Sequence, residues 1–578
     1  MKSLNKFIIA ILLLVPFSCD MLDFQSKLDD PNEATPKNAD ADLLFNNMQL
    51  SFARFYNNAD ALSSQIMRMR AMTRGYTYDA AYGSASGNTM WNIAFAEIFP
   101  DYDALVAIAQ ENELTAHIGA AKVLKAYVMM TLVDFFGAYP YSEIGQGINN
   151  PNPAITETDA DLYNIAKGLL EEAITDLDPN NVSRGFPSTD LFFVSGKEGD
   201  DYRAQWRSAA YALLMKMSLN TGDFATFDNA AAQVFNDWED FNFHYGTNRD
   251  NPNARHPWYN SQYETSDGPY MSNYYMWAMR GIGNDPAFPE VDPDKSTPDP
   301  RRRFYFYRQT DTAEGEDQFT IDCPFQPRPT HYSARDPFCL ATNLAEPEKR
   351  HDGYWGRDHG NAEGIPPDGH LRTVYGIYPA GGLFDDDSFL NTKKQGTLGA
   401  LGKGIWPVMD ESFLHFMLAE RNIGTPAVAE AHLEAGINAS ITKVMNYSAS
   451  IASLPDFSKD IVVDGDTLNR GDYYGVSDSL ITAYIDDVKA NFAAATDPMD
   501  VVAKEYHLAL WGNGMEAWNL YRRTGYPSGL QPTREPEQGT FPHILLYPST
   551  YVDLNANANQ RGSIGEKVFW DPGFTTLY

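Results

Sequence analysis

The sequence predicts a mostly α-helical protein, a scaffold of helical hairpins interrupted by a long loop-rich insertion that forms the ligand-binding side. Three observations predict it. Apolar residues recur at helical spacing from residue 41 to about 235 and again from 410 to 524. Between them, residues 239–408 turn to Pro, Gly, Asp, Tyr and Trp without a sustained period, and an irregular stretch of that length in a compact protein is usually functional. With 578 residues, 43% of them hydrophobic, the chain can bury a large core.

The N-terminal element comes first. Lys2 and Lys6 precede an apolar run over 7–15 and then Pro16-Phe17-Ser18-Cys19. A run of about ten apolar residues is too short to cross roughly 30 Å of hydrocarbon, so 1–18 reads as an export signal. A cysteine after a small residue is where bacterial lipoprotein signals are cut. Cys19 would then be the first mature residue and carry lipid; an ordinary signal containing a cysteine is the alternative. Residues 19–42, with Pro31 and Pro36, read as a tether, and 43–578 as one domain. The two remaining cysteines, Cys323 and Cys339, suggest one disulfide closing a loop of about sixteen residues, worth roughly 3 kcal/mol in the chain-entropy model. A buried unpaired couple is the other reading.

The scaffold spans 43–238 and 409–525. Trp206, Ala209, Ala210, Leu213, Leu214 and Met217 fall on one helical stripe. In Asn220-Thr221-Gly222-Asp223, a helix-ending glycine sits beside an aspartate able to cap a helix over 224–235. Asn422-Ile423-Gly424-Thr425-Pro426 repeats the device with a glycine stop, a threonine cap and a proline at the first helical position. Hairpins of about thirty-four residues with small residues at their contacts are similar to tetratricopeptide units. Further helices are predicted over 116–136, stopped by Gly137, and over 159–177, 410–447, 477–494 and 499–524. The tail, 526–578, reads as loop.

Charge narrows the function. A net charge of −33 argues against nucleic acid and strongly anionic polymers, which need basic surface to release counterions. Neutral sugars or basic peptides fit better. The 33 Tyr and 10 Trp supply amphipathic faces suited to the C–H face of a pyranose.

Leu132-Val133-Asp134-Phe135-Phe136-Gly137-Ala138-Tyr139-Pro140-Tyr141 resembles the helix and following loop of SusD/RagB lipoproteins. Trp91-Asn92 upstream, Asp299-Pro300-Arg301 in the middle, and Gly514-Met515-Glu516-Ala517-Trp518-Asn519-Leu520-Tyr521-Arg522-Arg523-Thr524-Gly525 near the end agree in order. The Gly-rich stretch over 356–382 is similar to the long-loop subgroup. The resemblance implies a tetratricopeptide-like scaffold, anchored by lipid at the outer-membrane surface, that closes over a TonB-dependent SusC-type barrel and hands it ligand. The implied ligands are mostly oligosaccharides, with peptides in the RagB branch. No binding residue carries over by motif.

The chain lacks His-Glu-x-x-His, Gly-x-Ser-x-Gly, a phosphate loop and Gly-x-Gly-x-x-Gly. With 77 acidic residues a glycosidase-like carboxylate pair could always be imagined, so it carries no weight. The expectation is a binding protein without catalytic residues; a surface glycoside hydrolase is the rival from another class. Candidate ligand contacts are Tyr76, Tyr78, Asp79 and Tyr82 in a Gly- and Ser-rich loop, Trp91 and Asn92, then Trp258, Tyr259, Tyr263, Trp277, Trp355 and Arg357 in the insertion. Trp91 reads first as a core residue and second as a ligand contact, and Arg357-Asp358-His359 reads first as hydrogen-bonding loop fasteners, with a sugar-hydroxyl contact as the alternative. Asp292, Asp294 and Ser296, and likewise Asp385-Asp386-Asp387, have the alternating oxygens of a calcium loop without its glycine and distal glutamate. Both are expected to be solvated turns, with structural calcium as the alternative, and no cofactor is expected. Arg301, Arg302 and Arg303 are expected to offset nearby acids.

Overall fold

The computed structural model describes residues 40–145, 149–194, 199–251, 254–265, 268–280, 296–309, 329–332, 353–362, 372–451, 461–463, 466–468 and 475–574. The expected signal, Cys19, the tether up to residue 39, Cys323, Cys339, Asp292 and Asp294 lie outside the described residues.

The first scaffold half contains α1 (Ala41–Ile66), α2 (Tyr78–Ala81), α3 (Asn88–Ile93), α4 (Phe99–Glu111), α5 (Thr115–Phe136), α6 (Asp159–Asp176), α7 (Asp200–Thr221) and α8 (Phe224–Val234). The second contains α9 (Glu411–Arg421), α10 (Pro426–Ile451), α11 (Asp478–Ala494), α12 (Pro498–Ala509) and α13 (Gly514–Thr524). Consecutive helices α5–α6, α7–α8 and α9–α10 pack as hairpins. The local chemistry explains their ends. Gly222 takes the left-handed conformation at φ 72°, and the Asp223 side chain accepts from the Thr226 amide to open α8. Thr158 and Asp161 form a reciprocal capping box on α6. Gly137 ends α5 at φ 65°, ψ −137°.

Two boundaries differ from the sequence reading. Helix α9 ends at Arg421, before Gly424 is reached, and its C-cap residue Asn422 donates its side-chain amide to the Leu418 carbonyl at 2.8 Å. The helix expected over 499–524 is two helices, because Gly512 at φ 101° turns the chain where a side chain would meet Pro407 and Pro379. Asn513 then caps α13 by accepting from the Glu516 amide.

The insertion is closed at its base by an antiparallel pair. Strand β1 (Phe241–His244) runs against β4 (Ile405–Met409), joining the two scaffold halves, while β2 (Phe306–Tyr307) pairs with β3 (Val374–Tyr375) inside the insertion. Phe241 and Phe243 enter the same apolar core as Phe52, Phe192 and Trp206.

The motif residues build buried polar networks at the helix contacts. Asp134 accepts from Tyr163, Asn519 and Trp570, while Arg522 donates to the Asp134 and His543 carbonyls. Glu516 accepts from Lys216 at 3.0 Å and Arg523 at 2.9 Å, and these two cations hold its carboxyl below the usual range against the opposing effect of burial. Arg301 pairs with Asp299 at 2.6 Å and reaches Glu505. Buried charges of this kind are costly unless paired, which is why these segments read as fixed motifs.

A groove between helix α1, helix α3 and the insertion

An open groove of about 890 Å³ runs between α1, α3 and the 243–260 segment. Its first wall is the outer face of α1, where Asn47, Leu50, Arg54, Asn57 and Asn58 follow helical spacing. The opposite face of α1 buries Phe45, Met48, Phe52, Phe55 and Tyr56, so the amide-bearing face has nowhere to point but outward.

The second wall comes from α3. This helix buries Met90, Trp91 and Ile93 and leaves Thr89 and Asn92 outside. Directly after it the chain makes a π-turn over Ala94–Ile98. That turn keeps Ala94 and Ile98 in the core while Glu97 faces the groove. A second π-turn, Asn260–Glu264, begins at the far wall with Asn260 in the lining. π-turns are rare and often mark functional sites; here one stands on each side of the same groove.

Beneath the walls lie Phe243 and Tyr245, both buried: they contact edge to face at 5.0 Å, and the Tyr245 hydroxyl accepts from Trp406 at 2.9 Å, which holds its ring in place. His256 lies against Tyr245 at 5.1 Å, and burial lowers its imidazole to about 3, so it is neutral at physiological pH.

Six asparagines line the groove: Asn47, Asn57, Asn58, Asn92, Asn251 and Asn260. Among the described residues, the side chains of Asn57, Thr89 and Asn92 make no hydrogen bond within the protein, and Asn58 uses one amide hydrogen on the Arg54 carbonyl at 2.8 Å. Each free carboxamide offers two donors and an acceptor side by side. The charged members are occupied. Arg54 bonds Glu97, which also accepts from Ser51 at 2.8 Å. Arg255 spends its guanidinium on Glu264 at 2.5 Å and the Leu401 and Gly396 carbonyls at 2.7 Å. Such a surface can hydrogen-bond hydroxyls without supplying a strong charge.

Of the residues singled out from sequence, Asn92 lines the groove and Trp91 closes the core beneath it, tilted on Phe95 and Tyr551. Tyr76 is 40% exposed, and Asp79 accepts from the Thr540 amide at 3.1 Å, both away from the groove lining. The other aromatic expectations need correction. Tyr78 is buried and accepts from Arg68 at 2.6 Å, and Tyr82 is buried beside it. Trp258 stacks on Tyr375 at 4.2 Å with Arg70 also against its ring, leaving no face for a sugar. Tyr259 and Tyr263 stack on each other at 4.5 Å, their hydroxyls donating to the Leu398 and Tyr375 carbonyls. Trp277 and Trp355 are likewise buried, and the Arg357 guanidinium covers Tyr270 at 4.4 Å. Asp358 accepts from Asn273 and Gln531, so this segment fastens loops. Most of the insertion's aromatics, Trp258 and Trp277 among them, join the main core and pin the insertion to the scaffold, as Trp258 does against Trp511, while Tyr259, Tyr263 and Tyr307 form a small cluster of their own.

Asp385 and Asp387 are taken by Arg308, with Arg303 also on Asp387, so their oxygens balance guanidinium groups rather than a calcium ion. Among the described residues, no group of three or more His, Cys, Asp or Glu side chains is arranged to hold a metal.

Sequence reasoning missed Asn47, Arg54, Asn57, Asn58, Glu97, Phe243 and Tyr245. A signal existed on α1: asparagine is a poor helix former, yet three of them share one face of a 26-residue helix.

A protein-family model described as "Starch-binding associating with outer membrane" matches residues 31–320 and 405–548, most of the chain. The chain belongs to the SusD-like family. Its α1, α3 and both ends of the insertion, hence the groove lining, all fall within the matched residues. Solved SusD-like structures share the fold. A SusD/RagB family protein from Bacteroides thetaiotaomicron is 17% identical, with a TM-score of 0.58 over 91% of this chain and 99% of the other. A chitin-binding protein, 16% identical, aligns with a TM-score of 0.57 over 91% and 99%. A SusD homologue from Bacteroides fragilis, 15% identical, gives 0.57 over 90% and 98%. No curated protein matches the chain. Among the described residues of this SusD-like chain, no helix is long and apolar enough to cross a membrane.

Proposed function

We propose that this SusD-like protein is a non-enzymatic receptor, anchored by lipid on Cys19 at the outer-membrane surface. It captures neutral oligo- or polysaccharide and passes it to a TonB-dependent SusC-type transporter. The observation that carries the reading is the groove itself, with the free side-chain amides of Asn57 and Asn92 on its walls. Each carboxamide offers donors and an acceptor to sugar hydroxyls without adding charge. The paired state of Arg54 and Arg255 agrees with a neutral ligand. Delivery to a barrel fits the family's outer-membrane association.

The test is isothermal titration of the unlipidated protein against neutral glucans, fructans and mannans and a casein digest, followed by product analysis. Binding of one glycan without new reducing ends is expected. Binding to peptides alone would transfer the protein to the RagB-like reading that its net charge of −33 suits, and released reducing ends would make it a hydrolase.

A further inference from the structure

Resting on the glycan-receptor reading, we propose that Glu97 is the residue that sets the charge class of the ligand. By occupying Arg54 it keeps the groove closed to carboxylated and sulfated sugars and open to neutral ones.

The argument begins from exposure. The Arg54 side chain is 46% exposed and that of Glu97 31%, and ion pairs so placed contribute little to stability. Stability therefore does not account for the trouble taken to hold Glu97 there. It is carried on a π-turn, a locally unfavourable geometry, between two buried anchors, Ala94 and Ile98. Ser51, buried in the adjacent turn of α1, donates to the same Glu97 oxygen and is itself reached by Arg54 at 3.1 Å. The carboxylate is thus aimed at the guanidinium by two independent constraints.

The surrounding charges make Arg54 the decisive cation. Arg255, the other arginine of the lining, is 3% exposed and has its donors directed at Glu264 and two carbonyls. Arg249 reaches that same Glu264 from the solvent side at 3.0 Å and is outside the lining. Asp101 lies beyond Glu97 and accepts from Asn47. Arg54 is therefore the cation able to meet a ligand carboxylate or sulfate bidentately, and Glu97 is what prevents it. Amides line the rest of the wall and are indifferent to ligand charge.

The substitution Glu97→Gln keeps the side chain's shape and removes its charge. Titrations at about 20 mM and 150 mM NaCl would use tetragalacturonate as the anionic probe and maltoheptaose with the neutral panel as the uncharged ones, with thermal melting to verify folding. Wild-type protein is expected to reject tetragalacturonate. E97Q should bind it at least about fivefold more tightly at low salt, with the gain shrinking at high salt as screening demands. The double variant R54Q/E97Q should lose the gain. No gain in folded E97Q, a gain that survives R54Q, or wild-type protein binding tetragalacturonate as well as E97Q does would each overturn the assignment. The two readings separate cleanly: neutral-glycan binding by wild type with no gain in E97Q sinks only the role of Glu97. A salt-sensitive gain in E97Q with no neutral-glycan binding by wild type sinks only the neutral-glycan receptor.

Discussion

Replacing Arg523 by methionine tests whether the buried ionic network, rather than apolar packing alone, fastens helix α13 to the rest of the scaffold. Arg523 on α13 is 5% exposed and holds Glu420 of α9 through two bonds, 2.8 and 2.9 Å, and Glu516 of its own helix through a third at 2.9 Å. Methionine has similar volume, so the loss is mainly electrostatic: two carboxylates remain, with side chains 10% and 1% exposed. Glu516 keeps Lys216, but Glu420 keeps no cation among its described partners. Removing one member of a buried pair costs about 3–5 kcal/mol, and that is the expected destabilisation at pH 7.5.

The pH dependence has a definite sign. Burial already raises the Glu420 carboxyl, with Arg523 pulling the other way, so R523M pushes it further up. A carboxyl whose folded pKa lies above its unfolded value penalises the folded state most where the unfolded chain is ionised. The penalty therefore shrinks as pH falls from the folded pKa toward the ordinary glutamate value near 4.3. Urea denaturation of wild type and R523M at pH 7.5 and pH 5 reads both quantities. A difference under about 1 kcal/mol at pH 7.5, or one that does not narrow at pH 5, would refute the reasoning.

Three further outcomes are expected. Asn57→Ala and Asn92→Ala should each weaken binding of the captured glycan about fivefold, as loss of roughly one net hydrogen bond of about 1 kcal/mol predicts, with unchanged melting behaviour; titration calorimetry checks it. Trp258→Ala should cost about 3–5 kcal/mol of stability while folded protein keeps its glycan affinity, because the ring is sandwiched in the core; urea curves and calorimetry on the same sample separate the two effects. Gly137→Ala should destabilise by about 1–3 kcal/mol, since a side chain there is strained at φ 65° and its Cβ would stand 2.7 Å from Arg561, again read by urea denaturation.

The fold and the site were legible to different degrees. Helix class and several stops were readable because they depend on neighbours in sequence. Gly222 with Asp223 and Gly137 act through backbone conformation and capping that a four-residue window contains. The family was readable because Asp134, Asp299-Pro300-Arg301 and the Glu516 to Arg523 segment are buried polar groups whose identity cannot drift without orphaning a partner. Aromatic ligand contacts were not readable. Trp258, Tyr259 and Tyr263 have the composition of a sugar platform, yet each ring's faces are used by Tyr375, Arg70 or one another.

By itself the sequence determined what local chemistry dictates: which segments are helical, where several of them stop, how acidic the surface is, and to which family the chain belongs. Only the tertiary structure decided which polar residues meet. The groove assembles Asn57 and Arg54 from α1, Asn92 and Glu97 from α3 and its π-turn, and Tyr245 from the insertion, positions separated by up to 191 residues (245 − 54). The reason is physical: whether a ring or an amide faces ligand depends on what covers it, and covering comes from distant parts of the chain.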